Sequence, residues 1–549
     1  MSNQKMEVVS SSSRLFLLLA VLLPACCQGA GFFGAVENFI GEVEEGAKNL
    51  FGATVKENTG NEDIYGRKSV TYTFTSMTDF WAFGSKTNAL NGPKNGDILI
   101  LKNGVYYDAA PTDYSGNCGT SQAATSTGGG WCITSTNVTF MAETNGGVIW
   151  KPRSPGVYLN FQGDGNNLKG FQFRDALSMA YGTLINSDGN GNQFNNLYFF
   201  NVSSSHYIKL NMNSKYNLVQ NCNFEYKPKY GPCPSSGPTS SVCPPGQTWY
   251  AGNLIAIEPN PSYPAYHKIR YSAFYNMPDS PMGVLANTVD FGNENIRIGE
   301  DELHYFPSRT IIEYCVFNST YGGDSEAISV KSRQNVIRFN TFAQNTGAMV
   351  VLRNGDWNVV YSNFFIKAGG VRVKHANNSY IYNNYFQMSG DNSGSWPVSW
   401  HNLTNWGPYY MYRNQIYVFH NTFVECGYIN LDTIKKSGGW FINNIFKKTP
   451  SLNPLVPSGN LFWGNSEGMG FLGNQYTGTL NSNKHALFDR HVGQEGPAVR
   501  HLLLPHLQDV RRLPRLRRLR DAQLLEWAKF RPFTGCLSLQ VCGKVYQIT

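Results

Sequence analysis

One pattern returns along the chain from about residue 165 to residue 450. It reads Asn335-Val336-Ile337-Arg338-Phe339-Asn340-Thr341-Phe342, then Asn358-Val359-Val360-Tyr361-Ser362-Asn363-Phe364-Phe365, then Tyr380-Ile381-Tyr382-Asn383-Asn384-Tyr385-Phe386. Tyr417-Val418-Phe419-His420-Asn421-Thr422-Phe423 and Trp440-Phe441-Ile442-Asn443-Asn444-Ile445-Phe446 continue it, and weaker copies surround Phe173, Phe199, Phe224, Phe274 and Phe317. The closing Phe recurs at near-equal steps at Phe342, Phe365 and Phe386, and again at Phe423 and Phe446. A period in the low twenties, made of short strand-like runs and turns, admits few architectures. A leucine-rich repeat needs a Leu-x-x-Leu-x-Leu frame that is absent, and a propeller blade needs about forty residues. An all-β, right-handed, single-stranded parallel β-helix with inserted loops fits. Each turn is three short strands, with equivalent residues stacked about 4.8 Å apart. The Asn at 340, 363, 384, 421 and 444 then form a hydrogen-bonded ladder at one corner, and the Phe stack inside. Both are scaffold. Longer intervals, 224 to 274 and 386 to 423, mark coils with inserted loops, the kind of segment that walls a binding groove.

Composition agrees. Of 549 residues, 15% are charged and 14% aromatic, with 55 glycines, which excludes a coiled coil, a helical bundle and a disordered polymer. The net charge of +8 is uneven: residues 485–549 carry 11 Lys+Arg against 5 Asp+Glu, leaving +2 for the rest, so a nucleic-acid partner is not implied. No glycine-rich turn opens a helix after a strand, so no nucleotide cofactor is expected.

The ends read differently from the middle. Lys5 and Arg14 precede the apolar run Leu15–Leu23, itself too short to span a membrane, with Ala25, Gly29 and Ala30 after it, and residues 1–30 read as an export signal. Residues 31–66 hold an amphipathic segment, with Val36, Phe39, Ile40, Val43, Ala47 and Leu50 at helical spacing, read as a cap or a pro-segment. Gly96–Tyr106 reads as one alternating strand. The β-helix is expected over 67–484. Residues 485–549 form a basic Leu/Arg-rich tail without a single Asn after Arg490, either an appended module or a misread coding frame, and no function is assigned to it. Cys118/Cys132, Cys233/Cys243 and Cys536/Cys542 are close enough in sequence to close small loops, whereas Cys222, Cys315 and Cys426 sit in strand-like runs as buried thiols. Sequons at Asn137, Asn201, Asn318, Asn377 and Asn402 suit a secreted glycoprotein.

One region interrupts the Asn-rich grammar with charge: Asp324-Ser325-Glu326-Ala327-Ile328-Ser329-Val330-Lys331-Ser332, then Leu352-Arg353-Asn354-Gly355, then Gly369-Gly370-Val371-Arg372-Val373-Lys374-His375. Arg353 follows Lys331, and Arg372 follows Arg353, at spacings that are each near one coil, so the three cations are expected to stack as a column. Stacked cations repel unless an anion lies between them, and a carboxylate-bearing sugar polymer is a natural guest. Asp324 and Glu326 supply hard oxygen ligands suited to Ca2+. Together these are the parts for β-elimination on a uronate. A cation neutralises the substrate carboxylate, and a base with lowered pKa, which Lys331 can be, removes the C5 proton.

The run Glu326–Phe342 with Leu352-Arg353-Asn354-Gly355, Gly370-Val371-Arg372-Val373 and Ile296-Arg297-Ile298-Gly299 resembles polysaccharide lyase family six, which contains alginate lyases and chondroitinase B. The resemblance covers roughly residues 78–450. It implies Lys331 as base, Arg353 as acid and Ca2+ held by Glu326 and Asp324; the usual position of a further Asn ligand falls on Phe291, so that Asn293 or Asn295 takes its place or the metal site is altered. Arg297, Arg372, Lys374 and His375 are expected at the substrate. The segment from Gly347 to Arg353 is one residue longer than the family pattern, which predicts a bulge or a displaced Arg353, and Asn354 stands where relatives carry His. The function implied is a secreted lyase acting on alginate. Chondroitin or dermatan sulfate cleavage, a non-catalytic polysaccharide-binding β-helix, and a hydrolase built on the Asp324/Glu326 pair are the alternatives, the last leaving Lys331, Arg353 and Arg372 without a role.

Overall fold

The computed structural model describes residues 69–85, 92–107, 130–151, 158–176, 183–227 (without 203 and 205), 253–277, 294–320, 326–389 (without 346 and 347), 396–401, 416–447 (without 428 and 432–438), short strands between 462 and 477, and two strands between 537 and 548. The export signal, the 31–66 segment, Asp324, Asn293 and Phe291 lie outside the described residues. The chain divides into two units. One is Gly29–Phe488; the other joins Met1–Gln28 with Asp489–Thr549. In the latter the described residues form an antiparallel pair, Leu537–Val541 with Lys544–Ile548.

The larger unit is a parallel β-helix. Its described strands fall into three parallel sheets of 14, 12 and 13 strands; the first, Thr71–Phe74, pairs with the next, Ile98–Leu101, and from there on each strand pairs with the one three strands further along the chain. Each complete coil thus contributes one short strand to each sheet. The inserts do not disturb the stacking: Phe224 pairs with Phe274, and Phe386 with Phe423, although an insert separates each pair along the chain. Gly96–Tyr106 is corrected. Ile98–Leu101 and Gly104–Tyr107 lie in different sheets, because the chain turns at Lys102-Asn103, where Lys102 is held by Glu143.

Two columns hold the coils together. Inside, Phe173, Phe199, Phe224, Phe274, Phe317, Phe342, Phe365, Phe386, Phe423 and Phe446 stack with centroids between 4.7 and 5.1 Å. Each such ring contributes roughly 1.5–3 kcal/mol by leaving water. At one corner the backbone N–H of Asn340 donates to Asn363 Oδ1 at 2.9 Å, and Asn363, Asn384 and Asn421 repeat this to the next Asn at 3.0 Å. A second ladder, of changing residue type, runs along another corner. There Val138, Asn166 and Asn192 donate in turn to Asn166, Asn192 and Asn217, and Asn217 donates to His267 Nδ1. Thr310, Asn335 and Asn358 donate to Asn335, Asn358 and Ser379. These side chains satisfy corner N–H groups that the sheets leave without partners.

A helix, Met77–Gly84, capped by Ser76, buries Phe80 and Trp81 against Phe140, Phe171 and Trp150 in the early coils. Cys132 is disulfide-bonded; Cys118, the cysteine near it in sequence, lies outside the described residues. Cys222 and Cys315 are buried free thiols, and Cys426 is partly buried.

Candidate active site

The candidate residues gather on the 12-stranded sheet, in the strands Ile296–Ile298, Glu326–Val330, Ala348–Arg353 and Val371–Lys374. Strand pairing fixes their heights. Glu326 pairs with Ala348, Ile328 with Val350 and Val330 with Leu352, and the offset between partners is the same in all three pairs. There is therefore no bulge between Ala348 and Arg353, and Arg353 stands in register one coil beyond Lys331. Past Arg353 the chain turns through Asn354, at φ 66°, and Gly355, where a Cβ would lie 2.0 Å from the Ser332 carbonyl oxygen.

The expected column is corrected at its third member. Arg353 pairs with Lys374, while Arg372 pairs with Val351. This coil is longer than the spacing from Arg353 to Arg372, so counting along the sequence stops at Arg372, on the same face one step back along the strand. The column runs Lys331, Arg353, Lys374 and then His401. Arg372 belongs to a parallel row with Arg297, Ser329, Val351 and Ser399. His375 follows Lys374 at φ 62° and bridges back to Arg353.

Ala327, Ile328 and Val330 join the hydrophobic core, whereas Glu326, Ser329 and Lys331 do not. The charged groups are nonetheless enclosed: Lys331 is 6% exposed, Arg353 3% and Glu326 0%. Arg353 Nη1 lies 3.9 Å from Glu326 Oε1, so the carboxylate and the guanidinium share one low-dielectric niche. Among the described residues no three His, Cys, Asp or Glu side chains gather as a metal site. Of the expected ligands Glu326 and Asn295 are described, both buried, and Glu294 precedes Glu326 by one coil, two positions before the Ile296–Ile328 pair.

The same face carries charge that spacing did not reveal. Lys209 Nζ is 2.6 Å from Glu258 Oε1, and Arg297 is ion-paired with Glu300. Asn253 donates to Glu294. Burial pushes the Lys227 amine down to about 7 against the pull of Glu294, and pushes His206 well below its ordinary range with Arg297, Lys227 and Lys209 nearby. The 228–252 insert lies between Lys227 and Asn253 and breaks the one-coil spacing by which these residues could have been found.

The family model described as Chondroitinase B matches residues 85–437. Among solved structures, the PL6 family alginate lyase AlyGC aligns with a TM-score of 0.54 at 17% identity, covering 75% of this chain and 54% of that one. A PL6 alginate lyase in complex with a trisaccharide aligns with a TM-score of 0.50 at 17% identity, covering 76% of this chain and 87% of that one. The chain thus spans about half the length of the former. At these identities the likeness establishes a common fold. No curated protein sequence matches the chain.

Proposed function

The chain belongs to the chondroitinase B family, and on that premise we propose that it is a polysaccharide lyase that cleaves a uronate-containing polymer by β-elimination. The observation that carries this reading is the register of Lys331 and Arg353 on successive coils, beside the buried Glu326 carboxylate. In this reading Lys331, as the neutral amine, takes the proton from C5. The C4–O bond breaks as the C4–C5 double bond forms, and Arg353 serves the departing glycosidic oxygen. Enclosure strengthens both interactions, because little water competes for either group. Lys374, Arg372, Arg297 and His375 supply positive charge and hydrogen bonds along the face where a polyanion would lie.

Ca2+ is part of the proposal. The Glu326 carboxylate offers the oxygen chemistry that this ion takes, with Asp324 and either Asn293 or Asn295 as the further expected ligands. When bound, the ion would neutralise the substrate carboxylate and so acidify C5–H.

Alginate is the proposed substrate, since both of the solved structures described above are of alginate lyases. Dermatan or chondroitin sulfate is the second reading, favoured by the family model's own description. Secretion is proposed from the 1–30 segment. The test follows ultraviolet absorbance of the new conjugated double bond during incubation with alginate and, separately, with dermatan sulfate. A rise on alginate supports the first reading and a rise on dermatan sulfate alone the second. Binding without a rise on either would make this a non-catalytic member of the family, and new reducing ends without a double bond would make it a hydrolase.

A further inference from the structure

Gly299 is where the coil before Lys331 leaves its strand. Ile298 pairs with Val330, and the Lys331 N–H donates to the Ile298 carbonyl at 2.7 Å. Gly299 has φ +88°, a left-handed conformation, and a Cβ there would meet the Lys331 carbonyl carbon at 3.2 Å and its oxygen at 3.3 Å. The chain then continues through Glu300, extended at φ −121° and ψ 168°, into a single turn of 3-10 helix, Asp301–Leu303. This path carries Glu300 one residue past the Gly299–Lys331 contact, where Arg297, three positions back, closes an ion pair on its carboxylate and the Lys331 charge bears on it.

A carboxylate beside the base creates a difficulty. A lone anion holds a neighbouring lysine as its ammonium, the form that cannot accept a proton. Here the anion is matched. We propose that the Arg297–Glu300 pair is a charge-cancelled brace beside Lys331, in which Arg297 offsets the Glu300 charge that would otherwise hold the amine protonated. The proposal rests on reading Lys331 as the base, and it makes Glu300 and Arg297 positioning residues. The charged groups facing the pair are Lys331, Glu258 and Glu294, with Glu258 itself tied to Lys209. Arg353 faces Lys331 from the next coil, with Glu326 beside it. The Glu300 carboxyl is itself raised above its ordinary range, chiefly by burial, with Arg297 and Lys331 opposing the rise.

The test is the pH dependence of kcat at saturating polymer, whose acid limb reports the base in the substrate complex. Arg297→Gln exposes Lys331 to an uncancelled carboxylate, which moves the limb upward by on the order of one pH unit. Glu300→Gln leaves Arg297 uncancelled and moves it downward by a similar amount. The double variant, with both charges gone, returns the limb to near its wild-type position, and Arg297→Lys leaves it there. Limbs that coincide with wild type in both single variants would overturn the brace, as would a double variant that keeps either shift. Lys331→Ala separates the two claims. If it retains wild-type turnover, the assignment of the base has failed; if it is inactive while the limbs stay fixed, only the brace has failed.

Discussion

Arg353 pairs in register with Lys374, and Arg372, two positions earlier, pairs with Val351. The cation in line with the proposed catalytic pair is therefore Lys374. Lys374→Ala is expected to lower kcat/KM on a uronate polymer by roughly 10–100-fold, the worth of a charge-assisted hydrogen bond to a carboxylate. Arg372→Ala, in the neighbouring row, is expected to cost less. Steady-state kinetics of the two variants decide the order, and the reverse order would remove Lys374 from the column.

Gly299 makes a second prediction. An alanine there takes a strained backbone angle and presses its methyl on the Lys331 carbonyl. Gly299→Ala is expected to lose about 1–2 kcal/mol of stability. It is also expected to lower kcat by at least about tenfold, since an ångström of misplacement is costly to catalysis. Thermal unfolding and turnover, measured on the same preparation, check both.

The second corner ladder contains one titratable member. His267 is fully buried, accepts from the Asn217 N–H through Nδ1, and its Nε2 has no hydrogen-bond partner among the described residues. Burial pushes it down to about 3. The folded state therefore resists a proton that the unfolded chain accepts below about pH 6.5, so stability falls as pH drops from there toward 3. At pH 5 this costs about 2 kcal/mol. His267→Asn, which keeps an acceptor for Asn217, is expected to flatten stability between pH 7 and pH 5 by that amount, as read from denaturant midpoints. An unchanged slope would mean that the ring is protonated or hydrated in the fold.

Calcium dependence makes a fourth. Chelation is expected to lower turnover and added Ca2+ to restore it. Glu326→Gln is expected to raise the Ca2+ concentration needed for half-maximal rate by roughly tenfold or more, since losing a charged ligand weakens such sites. A rate indifferent to chelator in the wild type would remove the metal from the mechanism.

The parts legible in the sequence are those in which each coil repeats one contact with one residue type. The Phe column and the Asn340–Asn444 ladder are of this kind, and the inserts at 224–274 and 386–423 announced themselves as breaks in the same count. The second ladder was not legible, because His267, Thr310 and Ser379 share its corner with Asn and each supplies the same acceptor or donor by a different group. Lys331 and Arg353 could be placed together because their offset spans an uninterrupted coil. Arg372 could not be told from Lys374, because coil length varies slightly from turn to turn and only strand pairing fixes the height. Glu300 and Glu258 escaped notice for another reason: nothing in their spacing marks them, and their roles arise from a left-handed turn at Gly299 and an ion pair across the sheet face.

The central claim is that Lys331 takes a proton from the substrate within reach of Arg353. It is tested most directly by single-turnover formation of the unsaturated product, followed by ultraviolet absorbance with Lys331→Ala beside wild type, both shown to be folded and to bind polymer. A rise is expected on wild type, with a loss of roughly 100–10,000-fold in the variant, the usual worth of a general base. Product forming in the variant at the wild-type rate would contradict the claim.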